Sequence, residues 1–85
     1  MYSVEYSQQA RKFLKSCNRI LIQRIFQKID RIQNEPVIPD TKVIQGFSER
    51  LYRVRVGEYR ILYEVDYSLK MIGIVKIDKR SRVYD

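Results

Sequence analysis

Histidine and tryptophan are absent from this 85-residue chain, and cysteine occurs once, at Cys17. Without histidine, a Ser-His-Asp triad, a Cys-His nucleophile and the common zinc ligand sets cannot be assembled within the chain, and a lone cysteine makes no internal disulfide. On an amphipathic segment, Cys17 reads as a small buried apolar residue. Only three glycines and two prolines punctuate the sequence, so its turns are few and can be located. No apolar run reaches membrane-spanning length and no signal-peptide h-region opens the chain, which leads us to expect a cytoplasmic protein. Internal repeats and low-complexity segments are also missing.

What the chain has in excess is positive charge. Seventeen Lys and Arg against ten Asp and Glu give a net charge of +7 and a pI near 9.8, the balance of a protein with an anionic partner. The excess is spread along both halves with no basic tail, so it belongs to a folded surface. With 45% hydrophobic and 32% charged residues, the composition is that of an ordinary globular chain. Its length allows one domain, residues 1–85, with a modest core.

The hydrophobic pattern gives the element order. Tyr2 to Tyr6 alternates apolar and polar, as a short strand does. Ser7 suits the N-cap of a helix from about Gln8 to Ser16, whose Ala10, Phe13, Leu14 and Cys17 share a face. Asn18 ends it. From Arg19 to Asn34, Leu21, Ile22, Ile25, Phe26, Ile29 and Ile32 recur every three or four residues, which specifies a second amphipathic helix. The basic residues between them read as solvated surface. Pro36 and Pro39 bracket a linker, and Lys42 to Phe47 is ambiguous between a brief strand and a loop with Gly46 as a turn. Strands are expected at Leu51–Val56, Tyr59–Asp66 and Lys70 to about Asp78. The fold class is therefore α+β: an N-terminal strand, then a two-helix antiparallel hairpin packed on one face of a mainly antiparallel sheet of about four strands.

The hairpin around Gly57 is the most informative part. With Gly57 and Glu58 as a two-residue turn, Tyr52 faces Tyr63, Val54 faces Ile61 and Val56 faces Tyr59, so one face is wholly apolar. On the other face Arg55 lies opposite Arg60, with Arg53 one step along, although like charges across a ladder repel. A phosphate is the natural counterweight, because guanidinium groups match its oxygens in bidentate geometry. In the last strand we assign Met71, Gly73, Val75 and Ile77 to the core face and Ile72, Ile74, Lys76 and Asp78 to the other. Pairing Asp66 with Lys70 would then put Lys76 beside Arg60. The resulting basic face carries Arg53, Arg55, Arg60, Lys76 and Arg80, with Lys79, Arg82 and Tyr84 nearby.

Such a face has limited chemistry. With no carboxylate cluster, a catalytic metal is not expected, and no cofactor is implied. RNA, however, carries its own nucleophile in the 2′-hydroxyl, and preorganised arginines would stabilise the charge that builds on the phosphorane. Arginine cannot take the proton; Tyr84 and Lys79 are the ionisable alternatives. Tyr84 would serve equally as a stacking partner for a base.

The run Leu51-Tyr52-Arg53-Val54-Arg55-Val56-Gly57-Glu58-Tyr59-Arg60-Ile61-Leu62-Tyr63, followed by Lys79-Arg80-Ser81-Arg82-Val83-Tyr84, resembles the RelE/ParE superfamily of type II toxin–antitoxin toxins, specifically its RelE branch. The resemblance implies a RelE-like toxin that enters the ribosomal A site and cleaves mRNA without a metal, held inactive by a small RelB-like antitoxin. It implies catalytic roles for Arg55, Arg60, Arg80 and Tyr84 and an RNA contact from Arg53; Lys76, Lys79 and Arg82 are added as RNA contacts from their place on or beside the basic face. The chain departs from the family in having arginine at both Arg53 and Arg55, where lysine is frequent, and Lys79 where many relatives have histidine. Two other readings remain open: a ParE-like gyrase inhibitor, and a noncatalytic RNA- or ribosome-binding module.

Overall fold

A computed structural model describes residues 1–44 and 51–79. It contains β1 (Ser3–Tyr6), α1 (Gln8–Ser16), α2 (Arg19–Asn34), β2 (Lys42–Ile44), β3 (Leu51–Val56), β4 (Tyr59–Asp66) and β5 (Met71–Lys79). The strands form one sheet in the order β1-β5-β4-β3-β2, antiparallel except for β1, which runs parallel to β5. The ambiguous segment thus supplies a fifth strand, and Gly46 and Phe47 lie outside the described residues.

Both helix starts are set by local chemistry. The Ser7 hydroxyl accepts from the Ala10 amide at 3.1 Å and the Asn18 side chain accepts from the Leu21 amide at 2.8 Å, each satisfying a first-turn N–H that the helix cannot. Asn18 therefore does more than end α1; it begins α2. Helix α1 covers β1 and β5, and α2 covers β3. The core between helices and sheet includes Ile25, Ile29 and Ile32 of α2 against Tyr52, Val54, Ile61 and Tyr63. Cys17 packs at its margin, where burial pushes the thiol's pKa up.

The hairpin register is as the sequence specifies, with Tyr52 opposite Tyr63, Val54 opposite Ile61 and Arg55 opposite Arg60. Gly57 has φ +59° and Glu58 does not share the left-handed conformation, the pattern of a type II′ turn whose twist suits a tight hairpin.

The last strand corrects the sequence reading. Asp66 pairs with Met71, Tyr63 with Ile74, and Leu62 with Lys76, so Val75 is an extra residue bulged out of the ladder. The bulge changes the phase within β5: Ile72 and Ile74 face the core before it and Ile77 faces the core after it. Met71, Gly73 and Val75 are thus not core residues as expected. Five consecutive residues without a polar side chain, Met71 to Val75, left the parity undetermined by pattern. Arg60 consequently lies opposite Asp78, not Lys76.

Candidate nucleic-acid interface

The sheet face turned away from the helices carries the basic residues. Arg53 and Arg55 come from β3, Arg60 from β4 and Lys76 from β5, all of one parity: Arg53 and Lys76 flank Leu62, and Arg55 and Asp78 flank Arg60. Leu62, Ile44 and Leu51 form a second small apolar cluster on this face. Burial among the arginines is uneven: Arg60 is 2% exposed and Arg53 8%, whereas Arg55 is open to solvent. A guanidinium held this deep has little rotamer freedom left to lose when it meets an anion.

Arg55 sits where the sheet edge opens. The β2 ladder ends with Lys42 opposite Arg53, and the next amide to point outward on β3, that of Arg55, donates to the Asp40 carboxylate at 3.2 Å. The same carboxylate oxygen accepts from the Lys28 ammonium at 3.1 Å, tying α2 to the strand edge. Partial burial raises the Asp40 pKa, but the bonds from Lys28 and the Arg55 amide, with the charges of both residues, outweigh it and hold the carboxyl below its usual range. The linker that presents Asp40 is fixed in turn by Tyr63, whose hydroxyl donates to the Pro36 carbonyl at 2.6 Å and lies 3.1 Å from the Thr41 hydroxyl. Burial is the main cause that pushes the Tyr63 pKa up to about 12, against the opposing Thr41 bond.

The structure brings together four of the expected site residues, Arg53, Arg55, Arg60 and Lys76. Lys79 pairs with Tyr59 and so has the opposite parity, toward the helix side of the sheet. Arg80, Arg82 and Tyr84 lie outside the described residues. Sequence reasoning missed Asp78, which stands across from Arg60 with its carboxylate accepting from the Lys79 amide at 2.7 Å. It also missed Asp40, for which nothing in the local pattern signals a role. Among the described residues no group of acidic or cysteine side chains is arranged to hold a metal ion, and no helix is long and apolar enough to cross a membrane.

A five-stranded sheet with two helices closing one face is a fold shared with known proteins. The family model described as "ParE toxin of type II toxin-antitoxin system, parDE" matches residues 4–84. A curated RelE1 protein of Methanocaldococcus jannaschii is 29% identical over 86 residues, covering 98% of this chain and 94% of that protein. RelE in the archaeal RelE–RelB complex from Pyrococcus horikoshii OT3 is 33% identical, with a TM-score of 0.81 and coverage of 96% of this chain and 98% of that one. The isolated Escherichia coli RelE toxin, at 18% identity, shares the fold with a TM-score of 0.82 over 98% of this chain and 88% of its own. Sequence family and three-dimensional relatives agree: the chain belongs to the RelE/ParE family of type II toxin–antitoxin toxins and is RelE-like.

Proposed function

We propose that this toxin is a metal-independent endoribonuclease that cleaves mRNA in the ribosomal A site and thereby stops translation in the cytoplasm. The observation that carries the reading is the row Arg55–Arg60, two guanidinium groups at directly paired positions, with Arg60 almost wholly buried and Arg53 and Lys76 on the same face. Asp78 stands on the far side of Arg60, yet cations outnumber carboxylates along this row and its neighbours, and a scissile phosphate would bridge the paired guanidinium groups.

In this mechanism Arg53 and Lys76 grip the strand on either side of Leu62, with Arg82 as a further RNA contact, while Lys79, on the helix-side parity, takes no part in that grip. Arg60 and Arg55, together with Arg80, stabilise the phosphorane. The 2′-oxygen attacks phosphorus as its proton passes to a general base, the P–O5′ bond breaks, the departing O5′ takes up a proton, and a 2′,3′-cyclic phosphate and a 5′-hydroxyl remain. Arginine stays protonated throughout. Because Lys79 has the parity of the helix side, Tyr84 is the stronger candidate to accept or orient the 2′-hydroxyl proton.

An uncovered cationic face binds RNA indiscriminately, so a small acidic antitoxin that covers it or displaces an element beside it is part of the proposal. The RelE proteins of P. horikoshii and Methanococcus jannaschii, at 33% and 30% identity, were solved in complex with RelB, which supports such a partner here.

The test is a defined translation system with a programmed mRNA, mapping 5′ ends by primer extension. New ends inside the A-site codon, needing both toxin and ribosomes, are expected. Arg60→Ala should slow their formation by about a hundredfold to a thousandfold, the effect of removing one preorganised donor. Tyr84→Phe should abolish cleavage while sparing ribosome binding. Binding without any cleavage would instead indicate a noncatalytic ribosome-binding module. Intact mRNA with normal translation would defeat the proposal and direct attention to DNA gyrase, the ParE-like alternative, by a supercoiling assay.

A further inference from the structure

One row of α2 cations lies beside the edge of the sheet. Three of them, Arg24, Lys28 and Arg31, recur at four- and three-residue intervals, which puts them on one side of the helix, and together with Arg55 they line an open groove of about 300 Å³ beside the β3–β4 turn. The Arg24 guanidinium lies directly over the turn: a Cβ added to Gly57 would come within 3.1 Å of it. Lys28 is neutralised by Asp40. Arg24 and Arg31 have no carboxylate partner among the described residues and Arg55 shares Asp40 with Lys28, so guanidinium groups outnumber carboxylates around this one concavity. Their mutual repulsion marks the groove as a place for an anion.

We propose that the groove between α2 and the β3–β4 hairpin is a second phosphate-binding site, which takes a stretch of RNA backbone continuous with the strand held on the open sheet face. The inference rests on reading that face as an RNA site, and Arg55 is the link. Because β2 stops short of it, Arg55 belongs both to the row with Arg60 and to the groove, so one strand passing over the sheet edge meets both. From Arg24 to Arg31 the helix rises about 10 Å, enough for several successive contacts and more than one isolated phosphate needs. The lining also disfavours a peptide. Its one apolar side chain, Val56, is 4% exposed, and a bound protein segment needs apolar pockets for its anchors.

The experiment measures binding alone, by fluorescence anisotropy of a labelled mixed-sequence RNA 20-mer across a series of KCl concentrations. Arg24→Gln combined with Arg31→Gln is compared with Arg11→Gln combined with Lys15→Gln, an equal charge loss on the exposed face of α1. Lys28 is left in place so that its bond to Asp40 survives, and circular dichroism checks both folds. The groove variant should weaken binding and flatten the slope of log K against log[salt] by about 1.4, the value for two lost contacts to a single strand. The α1 variant should keep the wild-type slope. Equal losses in both variants would mean that only net charge acts, overturning the proposal. Unchanged RNA binding by the groove variant, with lost affinity for a poly-glutamate peptide, would overturn it in favour of an acidic protein segment. Neither ribosomes nor cleavage enter the measurement. An inactive wild type in the translation assay would sink the nuclease reading without touching this result, and the converse also holds.

Discussion

Tyr63 couples the sheet to the linker through one hydroxyl, and its ionisation exposes that coupling. The phenol is protonated in the fold because it is buried and donates to the Pro36 carbonyl, which a phenolate cannot do. Its folded pKa of about 12 lies above the ordinary value of 10.0, so the folded state holds the proton over a window in which the unfolded state has released it. Stability from this group is thus full below pH 10 and is lost as pH rises toward 12. Tyr63→Phe removes the bond and the titration together. At pH 8 the variant should be less stable by about 1–2 kcal/mol, the cost of a lost hydrogen bond and an orphaned carbonyl. Urea melts repeated from pH 9 to 11 should show wild type and variant converging. A constant gap would mean that the hydroxyl does not titrate as its surroundings require.

The end of β5 depends on a side chain standing in for a strand. Strand β1 stops at Tyr6, opposite Ile74, and beyond it the Gln9 carboxamide takes over: its Nε2 donates to the Ile77 carbonyl at 2.7 Å and its Oε1 accepts from the Ile77 amide at 2.9 Å. Between them the Ser7 hydroxyl donates to the Val75 carbonyl at 2.6 Å, so the bulge is closed from the same side. Gln9→Ala frees both Ile77 groups and should cost about 1–3 kcal/mol. Hydrogen exchange should speed up selectively at Ile77. Unchanged protection there would show that Gln9 only decorates the edge. The chain continues from this anchored end into Arg80 and Tyr84, so the same variant tests whether their supporting strand matters to activity. None of this could be read from sequence, since a glutamine early in an amphipathic helix looks like any solvated position. The hairpin was legible because alternation and a single glycine fixed its register. The β5 phase was not, because Met71 to Val75 offered no polar residue to mark the bulge. That Arg24, Lys28 and Arg31 of α2 lie beside Arg55 was not legible either, because helical periodicity reveals which face is apolar and says nothing of a neighbouring strand.

At the scale of the whole molecule, the open sheet face is electrically divided. Arg53, Arg55, Arg60 and Lys76 outnumber Asp78 at one end, while Glu5 and Glu64 flank Gly73 at the other, with Asp66 next along β4. Glu64 follows Arg60 by four residues on one strand, about 13 Å away at the usual rise. That distance exceeds the screening length of about 8 Å at physiological ionic strength and falls well inside the value of about 30 Å at 0.01 M. The acidic end therefore repels a phosphate strand from the wrong half of the face only when salt is low, and acts mainly on approach and orientation. Glu5→Gln combined with Glu64→Gln should raise affinity for a mixed-sequence RNA at about 0.01 M salt and leave it nearly unchanged at about 0.15 M. Asp30→Asn combined with Glu35→Gln, the same charge change on α2 and the residue after it, serves as the comparison. If both pairs raised affinity equally at low salt, total charge would be sufficient and the division of the face would have no part in guiding RNA. A larger gain from the sheet pair alone would mean that the acids confine RNA to the arginine end, because the two variants differ only in where the charge was removed.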